Sequence, residues 1–183
     1  MPAVKPFVVL VADILQRPTA RRHEYLAGPT AEMVVAETVV HDQGRLAVDV
    51  ILESVGKGIL ATGTAAADWR STCRRCLQPV EGRLEAAFQE EFVPDAVDGE
   101  TYPLLHDCVD LEVVAREAIL LDLPLAPLCR EDCAGLCTTC GADLNDGSCA
   151  CASMARDPRW AALDVLVQDP VWLDEPDERL NEE

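Results

Sequence analysis

Eight of the nine cysteines in this 183-residue chain fall into tight clusters, and their spacing constrains the fold more than any other feature. Cys73 and Cys76 form a C-x2-C knuckle. Farther on, Cys129, Cys133, Cys137, Cys140, Cys149 and Cys151 crowd into the run LCREDCAGLCTTCGADLNDGSCAC. Closely spaced cysteines let one turn aim two thiolates at the same point, and a tetrahedral divalent ion needs four such donors. The pattern predicts two four-cysteine sites, together holding two zinc ions. Two pairings are open. In the favoured one, Cys137, Cys140, Cys149 and Cys151 form a self-contained site, and Cys129 and Cys133 complete the site begun by Cys73 and Cys76. In the other, Cys73 and Cys76 join Cys137 and Cys140. Either way four thiolates fill the shell, so the sites are structural. Cys108, preceded by His106 and Asp107, is expected to be a spare or buried thiol.

Dense cysteines also occur in disulfide scaffolds, which are characteristically short secreted domains. Here the apolar run at 7–12 is too short for a secretory leader, and nothing approaches the ~20 apolar residues of a membrane span. The expectation is a cytoplasmic chain with reduced thiols.

Charge is large and uneven. The net charge is −18. Two islands nonetheless run positive: residues 1–30, with Lys5, Arg17, Arg21 and Arg22, and residues 69–85, with Arg70, Arg74, Arg75 and Arg83. So acidic a chain is not a general nucleic-acid binder, which needs a concentrated positive face. Arg17, Arg21, Arg22, Arg70, Arg74 and Arg75 are candidate contacts to RNA or a protein partner if the fold unites the islands. The guanidinium fork suits phosphate. Equally, these arginines could neutralise the acidic body or an anionic thiolate site. At 4% aromatic residues, base stacking on single strands is disfavoured.

Apolar runs and alternation predict strands at 7–11, 33–41, 46–53, 59–69 and 80–92, with Ile51 interrupting the third. The arginine-rich stretch that ends at Gly28 and Pro29 reads as a loop. Gly56-Lys57-Gly58 is a hairpin turn, and the Cys73–Cys76 knuckle caps a second hairpin. An acidic break at 94–103 precedes a helix N-capped by Asp110, with Leu111, Val114, Ala118 and Leu121 on one face and Pro124 and Pro127 beyond its end. A short amphipathic helix or turn over 157–167 offers Trp160, Leu163 and Leu166 for docking. The predicted class is α+β: an antiparallel meander or barrel-like sheet with a knuckle hairpin, one main helix and a C-terminal zinc-ribbon-like cluster. The expected units are a sheet domain at 1–125, a docked cysteine-rich segment at 126–167 and an acidic tail at 168–183.

Catalytic constellations are missing. His23, His41 and His106 are scattered without a paired nucleophile. Gly56-x-Gly58 lacks the rest of a phosphate loop, and the neighbours Glu90 and Glu91 would face opposite sides of a strand. Cysteine redox catalysis wants one exposed pair at a helix start. No enzyme, small-molecule substrate or membrane partner is expected.

The same residues carry a family resemblance. Cys73-Arg74-Arg75-Cys76-Leu77, the segment Glu90-Glu91-Phe92, the helix end Ile119 to Pro124, and the block C-x3-C-x-G-L-C-x2-C-G-x-x-L-N-x3-C-x-C are similar to the bacterial YceD family. So is the DPRWAAL stretch at 157–163. The resemblance implies a role in accumulation or processing of large-subunit ribosomal RNA. Its partner would be precursor ribosomal RNA, an rRNA-processing protein or a ribosomal protein. A zinc-stabilised acidic module that shields a basic ribosomal protein is the alternative.

Overall fold

The computed structural model describes residues 5–41, 45–151 and 159. In chain order the elements are β1 (Val8–Leu10), α1 (Ala12–Leu15), β2 (Arg21–Pro29), β3 (Met33–Val35), β4 (Thr38–Val40) and β5 (Arg45–Val55). They continue with β6 (Gly58–Thr72), β7 (Pro79–Val93), β8 (Tyr102–Pro103), β9 (Cys108–Asp110) and α2 (Leu111–Asp122). The fold is α+β, and its main sheet is open rather than closed into a barrel.

Period-two patterning explains the centre of that sheet. Along β5, Leu46, Val48, Val50 and Leu52 are buried on one face. Ile51 points the other way and is 46% exposed, so the alternation is intact. Gly56, at φ 59°, makes the tight turn that starts β6 antiparallel to β5. β6 places Ile59, Ala61, Ala65 and Ala67 on the same buried face, and β7 adds Ala86, Phe88 and Phe92. A β-carbon at Gly63 would lie 2.1 Å from the Asp49 carbonyl oxygen, so only glycine allows the two strands to approach there.

β7 pairs antiparallel with β6 along nearly all of its length. The opposite edge of β6 is divided: β5 takes its first part, and β4 joins at Arg70 opposite Val39. β2 and β3 complete the order β2-β5-β6-β4-β3, while β8 adds a short parallel rung to β7. β1 and β9 form a separate antiparallel pair.

The main helix begins at its expected cap: the Asp110 carboxylate accepts from the Glu112 backbone N–H at 3.2 Å. Leu111, Val114, Ala115 and Ile119 seal the buried face of the sheet. Ala118 is partly buried beside them. Leu121 is not part of that stripe. It is 86% exposed, because the i, i+3, i+4 face through Leu111 passes through Ala115 and Ile119 instead.

Two segments differ from their sequence patterns. The stretch 33–41 is a hairpin of two short strands, reversed at Ala36 (φ 53°) and Glu37. The arginine-rich stretch is β2, an edge strand antiparallel to β5. Its pattern is obscured because cross-strand polar pairs hold it: Arg21 pairs with Glu53 at 2.8 Å and His23 hydrogen-bonds Asp49 at 2.5 Å. The amphipathic segment over 157–167, Arg159 apart, and the acidic tail at 168–183 lie outside the described residues. Among the described residues, no helix is long and apolar enough to cross a membrane.

Past α2 the chain is steered back to the knuckle. Buried Thr38 donates its hydroxyl to the Pro124 carbonyl at 2.6 Å, and the Arg74 backbone N–H donates to the Pro127 carbonyl at 3.0 Å. This return sets the later cysteines against the tip of the β6–β7 hairpin.

Candidate metal centre

The knuckle is a tight reversal between β6 and β7. Cys73 N–H donates to the Gln78 carbonyl at 2.8 Å, Leu77 N–H donates back to Cys73 at 2.9 Å, and Leu77 takes a φ of 60°. Cys73 and Cys76 are thereby buried, with Cys133 beside them and Val80, Leu128 and Leu136 packed around the cluster.

The four sulfurs of Cys73, Cys76, Cys129 and Cys133 lie within 4.8 Å of one another, as do those of Cys137, Cys140, Cys149 and Cys151. The first group is hereafter the proximal site and the second the distal site. Cys137 and Cys140 therefore sit with Cys149 and Cys151, not with the knuckle. A tetrahedron with metal–sulfur bonds of about 2.3 Å has edges of roughly 3.8 Å. Cys73 to Cys133 is 3.8 Å and Cys76 to Cys129 is 3.6 Å, so the donor set fits a tetrahedral thiophilic ion. Both groups could hold a metal ion.

The two environments differ. In the proximal group three of the four cysteines are buried; in the distal group Cys140 is exposed and the others half-buried. Local dipoles prepare one sulfur in each. The Cys76 backbone N–H holds the Cys73 thiol down to about 6, against the opposing effect of burial. Backbone N–H groups of Cys140 and Thr139 hold Cys137 down to about 6. The remaining thiols compete for protons: contact with Cys76 pushes Cys129 up to about 12, and Cys140 does the same to Cys151, to about 11. Four adjacent sulfurs cannot all ionise without a cation to balance them.

Several residues fasten the proximal site to its surroundings. Arg75 donates from Nη1 to the Cys133 carbonyl at 2.9 Å, and its own carbonyl accepts from Leu136 N–H at 3.1 Å. Gly135, at φ 76°, permits that approach, since a β-carbon there would lie 3.0 Å from the Arg75 carbonyl oxygen. Asn145, in the distal loop, reaches Cys133 with its side-chain amide at 3.4 Å. Cys108 lies apart from both clusters, on β9 against β1.

The cationic islands do not converge. Arg21 stands across β5 from the Leu60 level of β6, whereas Arg70 lies farther along that strand by roughly 33 Å at ~3.3 Å per residue. Moreover, Arg21 pairs with Glu53, Arg22 with Asp13 at 2.6 Å, and Arg70 with Glu81 at 3.7 Å. Arg75 is committed to the cysteine loop. Arg17 and Arg74 carry no side-chain ion pair among the described residues. Asn145 and Gly135 are legible in sequence only as the L-N and G-L positions of the cysteine block, with no role toward the metal ligands.

The family model described as "Large ribosomal RNA subunit accumulation protein YceD" matches residues 61–167, which take in most of β6, the knuckle, α2 and all eight clustered cysteines. The chain belongs to the YceD family. An uncharacterized protein of Mycobacterium tuberculosis is 38% identical over 168 residues, covering 86% of this chain and 80% of the relative. One from Mycobacterium leprae is 31% identical, over 95% of this chain and 84% of its own length. A Zea mays chloroplastic protein, named YCED homolog 1 and large ribosomal RNA subunit accumulation protein, is 27% identical over 68% of this chain and half of that protein. No solved structure matches. The YceD match begins within β6 and leaves out β1 to β5, so what it covers is the long hairpin, the helix and the cysteine run.

Proposed function

We propose that the chain is a non-enzymatic, zinc-stabilised factor that supports accumulation of large-subunit ribosomal RNA in the bacterial cytoplasm. The observation that carries this is the reach of the family match, which spans both four-cysteine groups and the hairpin tip that bears Cys73 and Cys76. Four thiolates per ion leave no open coordination position, so the metals' part is folding free energy. In this reading the units are 1–125, the sheet with its hairpin and helix, and 126–167, the cysteine-rich segment whose Cys129 and Cys133 tie it to the knuckle; 168–183 is acidic in sequence.

Within this reading Arg74 is the contact residue for ribosomal RNA phosphate. It is exposed at the knuckle, next to a ligand, and has no side-chain partner among the described residues. Arg21, Arg22 and Arg70 are paired with Glu53, Asp13 and Glu81, and Arg75 serves the metal loop. Arg74→Glu is expected to keep its metal while lowering the ratio of large- to small-subunit ribosomal RNA in a replacement strain. An unchanged ratio would remove the RNA-contact role.

A second reading, capture of a basic ribosomal protein, is favoured by the −18 net charge together with the neutralised arginines. Affinity purification with and without nuclease separates the two. Association lost on nuclease treatment supports RNA contact; nuclease-resistant capture of a basic protein supports the client role.

A further inference from the structure

We infer that Asn145 couples the two metal centres: a side chain carried by the loop of the distal site positions a ligand of the proximal one. The inference rests on the metal reading above. Asn145 lies between Cys140 and Cys149, so the distal site closes the loop that bears it. Its Oδ1 accepts from the Ala134 backbone N–H at 2.8 Å and from Arg130 Nη2 at 2.7 Å. Both are obligate donors, which fixes the amide orientation without ambiguity. Nδ2 must then face the other way, and there it meets two acceptors: Cys133 Sγ at 3.4 Å and Asp143 Oδ1 at 2.7 Å.

Each contact has a distinct task. The oxygen clips the distal loop to the backbone immediately after Cys133. The Asp143 carboxylate, which also accepts from the Asn145 backbone N–H at 2.9 Å, holds the amide in plane. The remaining N–H is aimed at a sulfur that an ion would leave strongly anionic. Backbone pairing carries the same link, since Leu144 N–H donates to the Gly135 carbonyl at 2.8 Å. An N–H···S bond withdraws charge from the thiolate and fixes its direction, and removing such partners of metal ligands typically weakens retention ~10–100-fold. Filling the distal site therefore orders the loop and slows loss of the proximal ion; emptying it releases Asn145 and loosens the buried site.

The test uses the full chain loaded with cadmium, whose nucleus reports each site by NMR. Wild type should show two resonances, with a scalar coupling from the Asn145 side-chain amide proton to the proximal ion across sulfur. Asn145→Ala should shift the proximal resonance and speed its extraction by chelator ~10–100-fold. Asn145→Asp should do likewise while keeping an acceptor for Ala134 and Arg130, which separates the sulfur bond from the loop clip. Cys149→Ser with Cys151→Ser should accelerate proximal release to a similar extent, and adding Asn145→Ala should then contribute nothing more. Two-ion loading without the amide coupling, wild-type extraction from Asn145→Asp, or independent multiplying effects in the combined variant would each overturn the coupling. Failure of the wild-type chain to bind cadmium would instead overturn the metal reading beneath it.

Discussion

Arg75 and Cys133 are joined by a hydrogen bond of 2.9 Å from guanidinium to backbone carbonyl, although 58 positions separate them in sequence. The arginine beside one knuckle ligand thus holds the loop of another ligand of the same site, while its neighbour Arg74 is exposed. Arg75→Ala should lower metal retention at the proximal site, on the order of tenfold, with Arg74→Ala near wild type. Competition with a colorimetric chelator measures both. Equal behaviour of the two variants would contradict the division of labour between them.

Gly63→Ala should destabilise the sheet by about 1–3 kcal/mol, and by more if β5 cannot move, because the added methyl meets backbone rather than a yielding side chain. The contact in question is 2.1 Å to the Asp49 carbonyl oxygen. Denaturant unfolding of metal-loaded protein gives the number. A midpoint equal to wild type would show that the strands are farther apart than described.

Removal of the fully buried Phe92 ring, as Phe92→Ala, should cost ~3–5 kcal/mol through lost burial and a residual cavity. Truncation of exposed Leu121 should cost almost nothing, because its side chain already lies in water. A large loss at Leu121 would place the helix in a different rotation on the sheet.

Acid should strip the metals. An ion is held only by deprotonated sulfur, so protons and metal compete. Cys73 and Cys137, held down to about 6, lose their thiolates as pH falls through that value. Cys129 and Cys151, pushed up to about 12 and 11, are protonated in the metal-free chain near neutrality and must expel protons when an ion enters. Retention therefore weakens as pH falls, because each proton returning to sulfur opposes the ion, and it falls most steeply below about 6, where Cys73 and Cys137 also take up protons in the metal-free chain. Zinc measured after equilibration across that range, with proton release followed in weak buffer, checks the direction. Retention that improves on acidification would refute it.

Much of this was legible from residues alone, for identifiable reasons. β5 and β6 announced themselves because one face is buried, along β5 from Leu46 to Ser54 and in β6 as far as Ala67, and the Asp110 cap because a side chain satisfies an end N–H. The cysteine groups were readable because donor spacing is local chemistry. β2 was hidden: as an edge strand its polar Arg21 and His23 are matched by Glu53 and Asp49 on β5, a partnership that exists only after folding. The separation of Arg21 from Arg70 likewise depends on register, which charge counting cannot supply. Asn145 was invisible as a coupling residue because its role requires two loops to meet.

Metal content of natively purified protein, read beside its free-thiol count, probes most directly whether two thiolate-bound ions hold this molecule together. Two zinc ions per chain are expected, falling to one in Cys129→Ser with Cys133→Ser and to one in Cys149→Ser with Cys151→Ser. A metal-free wild-type chain whose clustered cysteines are paired as disulfides would contradict it.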